Sequence, residues 1–117
     1  MKKPFTFTIT GMPRAKGRPR MTRRGRVFTP MATHEAETII AQQYVAQGGT
    51  KFEGPIYLEV DFHGQSTVIT VAESNLPLSK LRGDVDNYLK LVMDGLNGVA
   101  WDDDKQVVLI YAAKIDE

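Results

Sequence analysis

Phe5-Thr6-Phe7-Thr8-Ile9-Thr10 alternates apolar and polar residues, the period of a half-buried β-strand. The same alternation returns more clearly in Ile56-Tyr57-Leu58-Glu59-Val60-Asp61-Phe62-His63, which predicts Ile56, Leu58, Val60 and Phe62 toward the core and Tyr57, Glu59, Asp61 and His63 outward. Between the two, Val27-Phe28 reads as a brief strand. Thr29-Pro30 then reads as an N-cap followed by a proline in the first helical position. Ala32, Ala36, Ile39, Ile40 and Tyr44 have helical spacing, so a helix is expected to about Gln47, ended by Gly48-Gly49. Val68-Ile69-Thr70-Val71 has strand composition, and Ala72 to Pro77 reads as a connection. Gln106 to Ala113 is apolar on both faces of a strand, which predicts an interior position in the sheet.

Arg82-Gly83-Asp84-Val85-Asp86-Asn87-Tyr88-Leu89-Lys90-Leu91-Val92-Met93-Asp94 places charge inside an apolar pattern. At roughly 100° per residue, Lys90, Asp94 and Asn97 fall about 40°, 80° and 20° from Asp86, so four polar groups share one stripe of a helix. Tyr88, Leu89, Leu91, Val92, Met93, Gly95 and Leu96 fill the rest of the circle, which predicts a helix that is largely buried. The plain alternative for the stripe is a solvated edge with Asp86–Lys90 and Lys90–Asp94 pairs, each contributing only ~0.2–0.5 kcal/mol. Ahead of the helix, Asp84 and Asp86 are two apart, which in an extended chain points both carboxylates to one side. Either can cap the helix, an interaction of about 1 kcal/mol. A cap needs one carboxylate and the chain supplies two, leaving the second for a cation. Gly98 is a natural stop, and Trp101-Asp102-Asp103-Asp104 follows it. Asp86 to Asn97 spans about 18 Å as a helix at ~1.5 Å per residue. Gly98 to Asp104 covers about 23 Å when extended at ~3.3 Å per residue, enough for an aspartate at its end to return to the first pair.

Composition narrows the classes. A chain of 117 residues with 42% hydrophobic content has material for one core, and a single domain spanning residues 1–117 is expected. Without cysteine, a disulfide scaffold, a thiolate nucleophile and a thiolate metal site are excluded. No apolar run approaches the ~20 residues that span a bilayer, and the start of the chain lacks a signal-peptide core. The expectation is a cytoplasmic protein with no membrane partner. No phosphate-cradling glycine loop of either common pattern is present, so no nucleotide cofactor is expected. An EF-hand fails at Tyr88 and Leu89, where a ligand and a glycine are needed. His34 with Glu37, and the row Glu59, Asp61 and His63, read as surface. The elements together predict an α+β fold, a mixed sheet of four or five strands packed with two main helices.

Charge is segregated along the chain. Residues 1–34 carry nine basic and no acidic groups, +9, while residues 35–117 carry six basic and fourteen acidic ones, −8. Arg14, Lys16, Arg18, Arg20, Arg23, Arg24 and Arg26 fall within a loop at about residues 12–26 that has nothing to build a core with. Surfaces usually intersperse both signs, so a block of one sign points to a polyanion. Its preference for arginine suits bidentate phosphate contacts.

Gly83-Asp84-Val85-Asp86-Asn87, Lys90, Asp94-Gly95-Leu96, Trp101, Asp103-Asp104 and Gln106-Val107 together resemble the signature of the RusA family of Holliday-junction resolvases, and the match runs closely over residues 82–108. Lys16-Gly17-Arg18-Pro19-Arg20 is similar to a segment that phage-type members carry. The resemblance implies Asp84, Asp86 and Asp104 as ligands of a divalent metal, with Asp103 as the competing third ligand, and Lys90 as an assistant in cleavage. Asp102 reads as a solvated loop charge. Lys80 and Arg82, just ahead of Asp84, can offset charge or touch a phosphate. The implied cofactor is Mg²⁺, with Mn²⁺ as the alternative, and the implied substrate is a four-way junction or other branched DNA. Carboxylates suit that chemistry because they hold a hard cation able to polarise an anionic ester and activate water. A two-fold substrate needing two matched cuts implies a homodimer. The opposing reading is a non-catalytic DNA-binding protein whose basic N-terminal loop does the work while the aspartates only cap and solubilise.

Overall fold

The computed structural model describes residues 2–15, 20–21, 27–28 and 31–116. They belong to two compact units, residues 1–75 and 76–117. The first is a three-stranded sheet with one helix: β1 (Phe5–Thr10), β2 (Arg20–Met21), β3 (Val27–Phe28), α1 (Met31–Ala46), β4 (Ile56–Phe62) and β5 (Ser66–Glu73). The sheet order is β1-β5-β4 with both ladders antiparallel, while β2 and β3 pair with each other as a separate ribbon. The sheet is therefore antiparallel, not mixed, and three strands replace the expected four or five among the described residues.

Register settles which side chains share a face. Phe7 stands opposite Ile69 and Ile69 opposite Val60, and Phe5, Val71 and Leu58 form the next row. The alternating apolar positions of β1 and β4 thus lie on one side of the sheet, as their period requires. The other side carries Thr6 and Thr70, whose hydroxyls are 2.8 Å apart. α1 lies along β1, and Tyr44 meets Phe5 and Phe7 edge-on at 5.2 Å each, contacts worth ~0.5–1.5 kcal/mol beyond the area they bury. Gln47 adds a polar clamp: its side-chain amide accepts from Thr8 N at 3.3 Å and donates to Thr8 O at 2.9 Å, occupying the free edge of β1.

The expected core is only partly formed. Phe7, Ile69 and Ala72 are the buried apolar residues, whereas Leu58, Phe62, Ile39 and Ile40 are exposed. A single helix over β1 leaves the β4 side of the same face open, so correct facing does not bring burial there. The proposed cap Thr29-Pro30 lies outside the described residues. The helix stop holds, with Gly48 at φ +99° and its N–H on Val45 O at 3.0 Å. β5 runs longer than its sequence pattern, absorbing Ala72 and Glu73 from the expected connection.

The second unit is α2 (Val85–Leu96), a single 3-10 turn at Asp104–Gln106, and the segments around them. Two expectations are corrected. α2 has no buried residue, and Leu91 and Val92 are exposed, because only part of its circumference finds a neighbour within the unit. That part, at Val85, Tyr88 and Leu89, borders an open apolar cleft of ≈ 450 Å³ shared with Leu81 and residues Tyr111 to Ile115. Gln106 to Ala113 forms no strand. A strand is a ladder, and this unit offers no second strand to supply the opposing N–H and C=O groups. No helix among the described residues is long and apolar enough to cross a membrane.

Candidate active site

Asp84 occupies the N-cap of α2 in extended backbone conformation, φ −74° and ψ 148°, and its carbonyl accepts from Asn87 N at 3.1 Å and Tyr88 N at 3.2 Å. Its carboxylate makes no capping hydrogen bond. The position that most readily explains an aspartate here therefore leaves the side chain unused. Asp86 follows in the first turn and Lys90 one turn later, both exposed. Among the described residues neither side chain joins an ion pair or hydrogen bond, so the Asp86–Lys90 and Lys90–Asp94 pairs of a solvated edge do not form. Gly83 is fixed from two sides: its N–H donates to Tyr88 Oη at 3.1 Å, and its carbonyl accepts from Lys114 Nζ at 3.1 Å. A Cβ at Gly83 would lie 2.8 Å from Tyr88 Cζ, so any larger residue here displaces the Tyr88 ring.

At the other end of α2, Gly98 takes φ +81°, the left-handed conformation that ends a helix, and its N–H donates to Trp101 O at 2.7 Å. Residues 98–101 thus close a tight turn in place of an extended return. The two candidates for the third ligand are engaged by different partners. Asp103 caps the 3-10 turn: its carboxylate accepts from Lys105 N at 2.8 Å, and Gln106 Oε1 reciprocates from Asp102 N at 2.8 Å and Asp103 N at 3.0 Å, a capping box. Asp104 is half-buried and accepts the indole N–H of Trp101 on Oδ1 at 2.7 Å, with no partner on Oδ2 among the described residues.

For a hard divalent ion the donor chemistry fits: among the described residues Asp84 and Asp86 carry unengaged carboxylates and Asp104 keeps one oxygen open. The structure does not bring the predicted ligands together: among the described residues no three acidic or imidazole side chains stand close enough to share an ion.

The sequence model of the family described as Endodeoxyribonuclease RusA matches residues 10–117, taking in both units. The chain belongs to the RusA family. A relative within reach is "Uncharacterized protein YqaN" of Bacillus subtilis (strain 168), 32% identical over 123 residues that cover 92% of this chain and 84% of the relative. No solved structure matches the chain. RusA proteins are endodeoxyribonucleases, and the candidate residues of this RusA chain divide by unit. Asp84, Asp86, Lys90, Asp103, Asp104 and the exposed Lys80 and Arg82 lie in the second unit, and the basic block in the first. Arg14 is exposed and Arg20 opens β2. Lys16, Arg18, Arg23, Arg24 and Arg26 lie outside the described residues.

Several residues with a part in the geometry escaped the sequence pattern. Asp103 to Gln106 is readable as a capping box from its spacing alone. The Trp101–Asp104 bond depends on the turn at Gly98, and Lys114 and Asp116 carry no motif at all. Asp116 accepts from Ser79 Oγ at 2.7 Å and Lys80 N at 2.8 Å. The Ser79 hydroxyl first, then the Lys80 amide, hold its carboxyl below the ordinary carboxylate value, with a smaller contribution from Lys114.

Proposed function

We propose that this RusA chain is a divalent-metal-dependent endodeoxyribonuclease that cuts four-way junctions or other branched DNA, with Asp84, Asp86 and Asp104 as metal ligands and Lys90 as the charge-stabilising group. Family membership supports the reaction class. The observation that carries the site is Asp84 standing at a helix N-cap without capping it, beside an Asp86 and a Lys90 whose side chains are equally unengaged among the described residues.

In this reading Asp84, Asp86 and Asp104 would hold Mg²⁺, or Mn²⁺ in its place, once drawn together around it. When bound, the ion supplies polarisation of the phosphoryl oxygen and a more acidic water. Trp101 reserves one oxygen of Asp104 and so orients the other. Lys90, free of carboxylate partners among the described residues, offers its ammonium to the negative charge that grows on the phosphoryl and leaving oxygens. Asp103 stays with the cap of its turn and is the weaker candidate for the third ligand. Arg14, Lys16, Arg18, Arg20, Arg23, Arg24, Arg26 and Arg82 bind the phosphate backbone, whose contacts release counterions and make affinity fall with salt. A two-fold substrate cut at two symmetric points fits a homodimer carrying one site per chain.

The test is end-labelled four-way junction incubated with the protein in Mg²⁺ and in EDTA. Paired nicks that require the metal are expected. Salt-sensitive binding without any metal-dependent product would instead make this a DNA-binding protein without nuclease activity.

A further inference from the structure

We infer that Lys114 and Asp116 are positioning residues of this site: together they strap the Ser79–Gly83 loop from which Asp84 emerges, and so set the direction in which Asp84 and Asp86 are presented. The inference rests on the functional reading above and deepens it. The Asp116 carboxylate holds the start of the loop with two bonds, from Ser79 Oγ at 2.7 Å and Lys80 N at 2.8 Å. Two residues earlier, the half-buried Lys114 reaches the end of the loop, donating Nζ to Gly83 O at 3.1 Å. Within the loop the Ser79 hydroxyl also accepts from Leu81 N at 3.0 Å. Gly83 N–H is taken by Tyr88 Oη, so the peptide groups on both sides of the Gly83 α-carbon are tied before the chain reaches Asp84.

The strap matters because the carboxylates have no restraint of their own. Asp84 lacks a side-chain cap bond, and Asp86 and Lys90 lack partners among the described residues. Where these groups point is then decided by the backbone, and the loop backbone is held by one short segment distant in sequence. Groups that orient ligands from behind typically change metal affinity ~10–100-fold when lost, without touching the ion. The low carboxyl value of Asp116 keeps its charged, accepting form.

The experiment compares Lys114→Met, Asp116→Ala and the milder Ser79→Ala with the parent chain, and uses Lys114→Arg as the conservative replacement. Mg²⁺ affinity without DNA is read by calorimetry, junction affinity in EDTA by gel shift, and cleavage across a Mg²⁺ series. The expected result is Mg²⁺ affinity lowered about tenfold or more for the first two variants and less for Ser79→Ala. Cleavage should recover as Mg²⁺ is raised, junction affinity in EDTA should stay at the parent value, and Lys114→Arg should bind Mg²⁺ like the parent. Folded variants that bind Mg²⁺ and respond to it as the parent does overturn the strap alone; should Lys114→Met or Asp116→Ala not fold, Ser79→Ala decides on the same readings. A parent that neither binds Mg²⁺ nor cuts, or that is matched by Asp86→Asn in both, overturns the site reading and the strap with it.

Discussion

Lys90 follows Asp86 by one helical turn, yet no carboxylate engages its ammonium among the described residues. A lysine that merely solvated a helix edge would gain a few tenths of a kcal/mol from such a pair, and here that gain is absent. If Lys90 stabilises developing charge, Lys90→Ala should lower single-turnover cleavage of a junction by about 10²–10³ while gel-shift affinity stays near the parent's. Unchanged turnover would remove Lys90 from the mechanism. At this scale the sequence was legible wherever a local period governs. The Asp86–Lys90–Asp94 stripe follows from helix geometry, whereas Asp103, read only as a competing ligand, caps a turn with Gln106. Trp101 on Asp104 was not legible, because the contact exists only once Gly98 has turned left-handed and the chain has folded back.

Among the elements, two glycine–tyrosine contacts show how tight local packing underlies the helix ends. A Cβ on Gly49 would lie 2.6 Å from the Tyr44 ring at the end of α1, and one on Gly83 2.8 Å from Tyr88 at the start of α2. Gly83→Ala should therefore cost about 1 kcal/mol, chiefly the hydrogen bond from Gly83 N–H to Tyr88 Oη that is given up as the exposed ring swings aside. A double-mutant cycle checks the cause: the cost should shrink in a Tyr88→Ala background, and an equal cost in both backgrounds would place the strain elsewhere. Strand facing in β1 and β4 was legible because the two-residue period is local, and the α+β class followed from it. Burial was not, because it depends on which face of the sheet α1 covers, and α1 covers β1. Nor was the fate of Gln106 to Ala113, since apolar composition says nothing about where a strand finds its partner edge.

For the whole molecule, the two parts of the chain carry opposed charges, +9 for residues 1–34 and −8 for residues 35–117, and under the proposed function these would separate holding DNA from cutting it. Arg18→Ala with Arg20→Ala should flatten the slope of log affinity against log salt by about two, one released counterion for each lost phosphate contact. The complex that still forms should cut in Mg²⁺ as before; an unchanged slope would move the phosphate contacts to other residues. The aspartates should act in the opposite sense, since near a phosphate they repel DNA unless a cation lies between. The most direct measurement is Asp86→Asn, assayed on one junction by gel shift in EDTA and by cleavage in Mg²⁺. The account predicts no cleavage, with metal-free affinity equal to the parent's or slightly higher. A folded Asp86→Asn protein that still cuts at the parent rate, or that binds several-fold more weakly in EDTA, would contradict it.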